Sequence, residues 1–265
     1  MIRLFVQDAL YAGASVALSP AHLQHLRAVM GLTAGTALTL FNGKDGAWQG
    51  SLQSVTKKSA AVVLDQCISP QIKATLDHVT LFFSPLKTHR QAMLIEKAVE
   101  LGVGHLQPII MARTQGRHFR LEKAVIQCAE AAAQCERLSL PTLGEPCSLE
   151  KALNTYPMPV ICGAERLENQ VGHPQAKGIS DYPRSMHSKP LYSKLQYFEP
   201  NFEPMGLLVG PEGGFTIPEM TWIQSQDQVT CVSFGREILR AETAAIFGLS
   251  WIKSHLVGLS FDHTG

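Results

Sequence analysis

Two stretches of the chain carry residue types that could do chemistry together. The first is Leu207-Leu208-Val209-Gly210-Pro211-Glu212-Gly213-Gly214-Phe215, and the second is Val232-Ser233-Phe234-Gly235-Arg236-Glu237-Ile238-Leu239-Arg240-Ala241-Glu242-Thr243-Ala244. Each reads as an apolar strand that ends in a polar loop and then enters a helix. Three glycines in five positions let the first loop's backbone reach φ > 0 and let a ligand approach with no Cβ in the way. Thr216-Ile217-Pro218-Glu219 has the pattern of a capping box with proline in the first turn. A helix should therefore begin directly after the glycines, with its free N–H groups facing the loop. Glu212, Arg240 and Glu242 supply two carboxylates able to accept a proton and one guanidinium able to hold negative charge. A loop ion pair and a solvated glutamate are the plainer alternatives for the same residues.

The glycine spacing matches neither GxGxxG nor GxxxxGK[ST], so a dinucleotide-dependent oxidoreductase or a nucleoside triphosphatase loses its main support. The six cysteines, at 67, 128, 135, 147, 162 and 231, contain no CxxC pair, which argues against a zinc site or a redox dithiol. Of the ten histidines only His22-x-x-His25 has ligand-like spacing, and it fits a helix surface, so no metal is expected. No apolar run approaches the roughly 18 residues that span a bilayer. With 45% apolar and 17% charged residues, the composition is that of a soluble protein, and a cytoplasmic location is expected.

The elements that must position these loops form two parts. Ile2 to Val6 reads as a strand, and Ser19-Pro20 opens a helix carrying Leu23, Leu26, Val29 and Met30, closed by Gly31. Thr36–Phe41, Trp48–Ser54 and Ala60–Asp65 are β-rich runs, which makes residues 1–70 a small β module. From about Thr75, strands at His78–Ser84, His105–Ile110, Val160–Cys162, Leu207–Val209 and Val229–Phe234 alternate with helices. The helices are expected at His89–Leu101, Leu121–Arg137, Leu149–Tyr156 and Thr243–Leu256. Such alternation predicts an α/β fold with a parallel sheet and helices on both faces. Between Gly163 and Pro204 the chain turns polar and proline-rich with no stable period, and a long, partly disordered loop is expected there.

The net charge of +1 gives no global footprint for nucleic acid, so RNA contact has to come from local patches. The densest basic cluster is Arg113-Thr114-Gln115-Gly116-Arg117-His118-Phe119-Arg120, at a strand end and interleaved with an aromatic ring. Lys87 and Arg90 open a helix, and Lys57-Lys58 forms a turn of the β module. Solvated surface is the alternative reading for Lys57, Lys58, Arg117, Arg120 and Lys123.

"LLVGPEGGF" followed by "FGREILRAETA" resembles the bacterial ribosomal RNA small subunit methyltransferase E family. "IEKAVELGV", the Gln134 and Arg137 of "EAAAQCERLSLP", and Arg3, His25-Leu26, Phe41-Asn42-Gly43 and Lys57-Lys58 extend the likeness over most of the chain. Glu237, Thr88-His89 and Met30-Gly31 depart from the family's pattern. The resemblance implies an S-adenosylmethionine-dependent enzyme of the SPOUT class, which methylates N3 of a uridine in 16S rRNA. It also implies a PUA-like RNA-binding domain at 1–70, a trefoil-knotted SPOUT domain at 75–258, and a homodimer that acts on 16S rRNA or the small ribosomal subunit. For such a transfer the catalytic candidates are Arg240, Glu212 and Glu242, which lie near both loops. The cofactor is bracketed by Gly163, Val209, Gly210, Gly213, Gly214, Phe234, Gly235, Ile238, Leu239 and Thr243. RNA contacts fall to Arg3, Lys57, Lys58, Lys87, Arg90, Arg113, Arg117 and Arg137. A ribose 2′-O-methyltransferase of the same superfamily and a non-catalytic RNA-binding protein remain the competing readings.

Overall fold

The computed structural model describes residues 2–29, 33–53, 55–56, 59–116, 119–164, 189–190, 203–235 and 237–261. The chain divides into two compact units, residues 1–74 with 125–140 and residues 75–124 with 141–265.

The first unit is built on a five-stranded sheet. Strands β1 (Ile2–Phe5), β2 (Ser15–Ala17), β3 (Ala37–Phe41), β4 (Ala47–Gln53) and β5 (Ala61–Ser69) lie in the order β1-β3-β4-β5-β2. Among the described residues of this sheet only β1 and β3 pair in parallel, with Ile2 opposite Leu38. Helix α1 (Pro20–Val29) starts where the sequence places it, because the Ser19 hydroxyl accepts from the His22 N–H at 3.2 Å. Leu4, Val16, Leu23, Leu26, Leu38, Leu40, Leu52 and Leu64 close a common core over the sheet. Asn42 and Asp45 build the β3–β4 turn. The Asn42 side chain accepts from the Lys44 and Asp45 N–H groups, and Asp45 accepts from Leu10 N–H at 3.0 Å.

The second unit carries the parallel sheet that the strand–helix alternation predicts. Its strands are β6 (Val79–Phe83), β7 (His105–Ile110), β8 (Thr142–Leu143), β9 (Cys147–Ser148), β10 (Val160–Gly163), β11 (Lys189–Pro190), β12 (Met205–Val209) and β13 (Val229–Ser233). They run β11-β13-β10-β12-β6-β7-β8, with β9 also on β7, and every pair is parallel. The helices are α2 (Thr88–Leu101), α3 (Leu121–Gln134, whose stretch from Val125 packs in the first unit), α4 (Leu149–Asn154), α5 (Ile217–Gln224) and α6 (Ala241–Phe261).

Neighbouring residues of a strand face opposite ways, and β12 shows what each face meets. Leu208 packs with Leu149 and Leu153 of α4 and with Met220 and Ile223 of α5. Leu207 instead lies against Gly248 of α6, where an added Cβ would come within 2.8 Å of the leucine. Helices therefore cover both faces. Gly102, at φ 99°, closes α2 as a left-handed cap.

Some boundaries differ from the sequence reading. Helix α3 ends at Gln134 rather than Arg137, because Glu136 takes a left-handed backbone at φ 60° and turns the chain out of the helix. Helix α6 runs from Ala241 to Phe261, longer at both ends than expected. The short strands β2, β8 and β9 carry too few residues to show a period. Most of the 163–204 segment, and with it the path by which a knot would thread, lies outside the described residues. Among the described residues no helix is long and apolar enough to cross a membrane.

Candidate functional site

Strand order brings the two loops together. β10 lies between β12 and β13, with Gly163 opposite Val209 on one side and Val232 on the other. The loops after β12 and β13 therefore leave the same sheet edge, one strand apart. In an open parallel sheet, the crevice outside the carboxyl ends of the strands is where ligands bind.

The first loop is held from three sides. Pro211 and Gly214 close a turn through a 2.8 Å backbone bond, with Gly214 at φ 69°. Thr216 then caps α5 with a full capping box: its hydroxyl accepts from Glu219 N–H, and the Glu219 carboxylate accepts from Thr216 N–H at 2.8 Å. The other oxygen of Glu219 accepts from Ala112 N–H at 2.8 Å, just past β7. Burial alone would raise the Glu219 carboxyl. The bonds from Ala112 and Thr216, with the nearby Arg113 charge, outweigh burial and hold its pKa below the ordinary glutamate value. Arg113 completes the clamp by donating to the carbonyls of Gly213 at 2.8 Å and Phe215 at 3.3 Å. The second loop begins with Ser233, whose hydroxyl donates to Gly235 C=O at 3.0 Å. It ends with Arg240, whose carbonyl accepts the first bond of α6 from Ala244 N–H at 2.8 Å.

Between the loops lies a cleft of about 330 Å³, at the small end of the usual range for ligand pockets. From the first loop it is lined by Val209, Gly210, Pro211, Glu212, Gly213, Gly214 and Phe215. Gly163 lines it from β10, and Phe234, Ile238, Leu239, Ala241 and Ala244 line it from the second loop and α6. Two glycines are sterically required. A Cβ on Gly163 would stand 2.3 Å from the Phe234 ring, and one on Gly210 2.9 Å from the Phe215 ring. Glycine and short side chains leave backbone polar groups accessible beside apolar rings. That lining suits a ligand with a planar heterocycle and a polar amino-acid tail, so the residues present fit S-adenosylmethionine. Gly235 and Thr243, expected to hold the cofactor, do not line the cleft, and Thr243 is exposed on α6.

A group of paired charges adjoins the first loop. Arg90 of α2 is ion-paired with Glu212, and its Nε lies 3.7 Å from Glu242 Oε1. Glu242 is only 6% exposed, and its Oε2 is shielded with no hydrogen-bond partner among the described residues. One guanidinium thus serves two carboxylates, of which Glu212 reaches the cleft. The sequence reading gave Arg90 and Arg113 to RNA, whereas the structure engages both with the glycine loop or its acidic neighbours. Arg240 and Lys87 are exposed at the starts of α6 and α2.

The remaining expected RNA contacts lie elsewhere. In the first unit Arg3 donates to Glu136 C=O at 3.4 Å and lies over the Phe41 ring, and buried Arg137 donates to the Ser139 hydroxyl at 3.3 Å. Lys57, Lys58 and Arg117 fall outside the described residues. Among the described residues no cluster of His, Cys, Asp and Glu is arranged to hold a metal ion. The chain order did not reveal the Arg90 bridge, because its partners lie 122 and 152 positions further along.

The parallel sheet with its glycine-lined cleft and the separate small β sheet are matched, among known proteins, by RNA methyltransferases of the SPOUT class. Residues 73–253 match the family described as the RNA methyltransferase domain, and residues 22–65 match the RNA methyltransferase PUA domain. Ribosomal RNA small subunit methyltransferase E of Rickettsia conorii is 27% identical over 263 residues, covering 95% of this chain and 94% of the relative. The protein of the same name from Mesomycoplasma hyopneumoniae is 30% identical over 183 residues, 65% of this chain and 67% of the relative. A Legionella pneumophila methyltransferase solved with bound S-adenosylmethionine superposes with a TM-score of 0.78 at 26% identity, covering 96% of this chain and 97% of that one. The chain belongs to the ribosomal RNA small subunit methyltransferase E family.

Proposed function

We propose that this chain transfers a methyl group from S-adenosylmethionine to N3 of a uridine in 16S rRNA. The observation that carries the reading is the cleft between the two loops, with Glu212 at its edge and Arg90 and Glu242 behind it. When bound, S-adenosylmethionine supplies a methyl group on a sulfonium, which leaves position and proton handling to the protein. The backbone around Gly210, Gly213 and Gly214, with Phe234, Ile238 and Leu239 opposite, holds the cofactor. Glu212, the carboxylate that lines the cleft, accepts the proton from the uracil imide N3–H. Proton acceptance by a positioned base contributes about 10²–10⁴-fold to such steps. Arg90 and buried Glu242 fix the Glu212 carboxylate, and Arg240 stabilises the negative charge that develops on a uracil oxygen.

The division of labour follows the sequence. Residues 1–70 act as the PUA-like RNA-binding domain and residues 75–258 as the methyltransferase domain, with Lys87 exposed for phosphate contact. The enzyme works as a homodimer. Met93, Ile238 and Phe247, all in the second unit and 43%, 62% and 42% exposed, supply the apolar surface a partner subunit would cover. Its place is the cytoplasm, where its rRNA substrate is.

The test uses labelled S-adenosylmethionine and small subunits lacking the modification, followed by nucleoside analysis. Label on uracil N3 is expected, and Glu212→Gln should cut turnover at least about a hundredfold while cofactor affinity stays within a few fold. Label on a ribose 2′-hydroxyl, or cofactor binding without transfer, would overturn the reading.

A further inference from the structure

The first unit contains a second cavity that the catalytic reading does not use. It encloses about 440 Å³ between β1 with its following turn, the start of α1, and the Val125–Gln134 stretch of α3. Its wall is mostly apolar. Buried Leu4 of β1 and Val6 just past it line one side, and Val125 and Ile126, 40% and 55% exposed, line it from α3. Ala129 and Ala133 lie on the same side of α3 as Val125, at intervals of four residues, and their short side chains give the slot its depth.

The polar atoms on the wall are of mixed kind. Arg3 lines the slot, is fixed over the Phe41 ring and by its bond to Glu136 C=O, and keeps one shielded donor, Nε, with no acceptor among the described residues. A shielded donor without an acceptor is uncommon in a folded chain, and a water, an ion or a further acceptor is its usual complement. Glu130 and Gln134 stand exposed on the α3 side, and Asp8 adds a second carboxylate from the turn after β1. Two carboxylates beside one arginine would repel a phosphate backbone. They complement a flat, partly apolar group whose edge carries acceptors next to donors. An unpaired nucleobase is such a group. Guanine fits best, because it offers O6 and N7 to an arginine and donor N–H groups to a carboxylate.

We infer that this slot takes one unpaired guanine of the RNA substrate and so selects where on the strand the enzyme docks. The inference rests on the proposal that the substrate is RNA, and it concerns recognition rather than methyl transfer.

The experiment measures binding of the full chain to a short oligoadenylate carrying one guanosine, against the all-adenosine strand, by fluorescence anisotropy. Wild type should bind the guanosine strand more tightly. Ala129→Phe, which fills the slot, should remove a preference worth roughly tenfold to a hundredfold while S-adenosylmethionine affinity is unchanged. Arg3→Lys, which keeps the charge but loses the Nε donor and the planar fork, should lose the preference too and serves if Ala129→Phe does not fold. Equal binding of both strands by wild type, or a preference that survives either folded variant, overturns the inference. Binding that behaves as expected with no methyl found on any rRNA would leave the slot standing and sink the catalytic proposal instead.

Discussion

Replacing Gly163 with alanine tests the cleft's construction from inside the sheet. The new Cβ would lie 2.3 Å from Phe234 Cε2 and 2.7 Å from Cζ, so the ring has to move. It cannot retreat into α6. The Gly248 backbone is already close enough that a Cβ there would meet Phe234 Cζ at 3.2 Å, and the Phe247 ring centroid is 5.4 Å away. The open direction is the cleft, which Phe234 lines. Overpacking of this kind costs about 1–3 kcal/mol. If the ring takes cofactor space, that cost becomes a loss of roughly 5- to 150-fold in affinity. Titration calorimetry with S-adenosylhomocysteine reads the affinity, and thermal unfolding reads any share borne by stability, at about 2–4 °C per kcal/mol for a domain of this size. Adding Phe234→Leu should return part of the loss, a coupling that a double-mutant cycle isolates. A Kd within twofold of wild type together with an unchanged Tm would refute the steric reasoning, as would strict additivity of the two substitutions.

Other substitutions probe the supports of the first loop. Arg113→Ala removes the donor to the carbonyls of Gly213 and Phe215, so cofactor affinity should fall several-fold in calorimetry, and a loss confined to RNA affinity would contradict the clamp. Glu219→Gln should lower stability by about 1 kcal/mol at neutral pH, the usual worth of a cap. The folded-state pKa of Glu219 is depressed below 4.5, so its ionised form contributes fully above the unfolded value. The gap between wild type and variant in denaturant midpoints should narrow as pH falls below about 4.5 through the folded value, and a constant gap would be inconsistent. Burial pushes the Cys128 thiol up to about 12. Alkylation at neutral pH should therefore label exposed Cys67 and Cys135 while sparing Cys128 until the chain unfolds, and rapid labelling of Cys128 in the folded protein would refute its burial.

The sequence was most informative where local chemistry decides structure. The capping box at Thr216 and Glu219 and the alternation of apolar strands with helices depend on neighbours a few residues away, and each is found where the pattern places it. The two loops were legible for the same reason, whereas many of the residues that line the cleft between them were named from the family resemblance. What could not be read depends on pairing across long separations. Arg90 looked like a basic residue at a helix start, and only the packing of α2 near the first loop and α6 reveals it as the bridge between Glu212 and Glu242. Arg113 belonged by sequence to a basic cluster, yet its guanidinium reaches residues 100 and 102 positions away. Thr243 reads as the first residue of the last helix, beside the cofactor loop, but α6 begins two residues earlier at Ala241 and leaves Thr243 exposed, off the cleft.

The most direct measurement is a crystal structure of the protein with S-adenosylhomocysteine. Density for the ligand should lie between the Gly210–Gly214 turn and Phe234, Ile238 and Leu239, with Gly163 beneath it and Glu212 at its edge. Ligand density at any other place, or a cleft closed by its own side chains at saturating ligand, would contradict the assignment of this site.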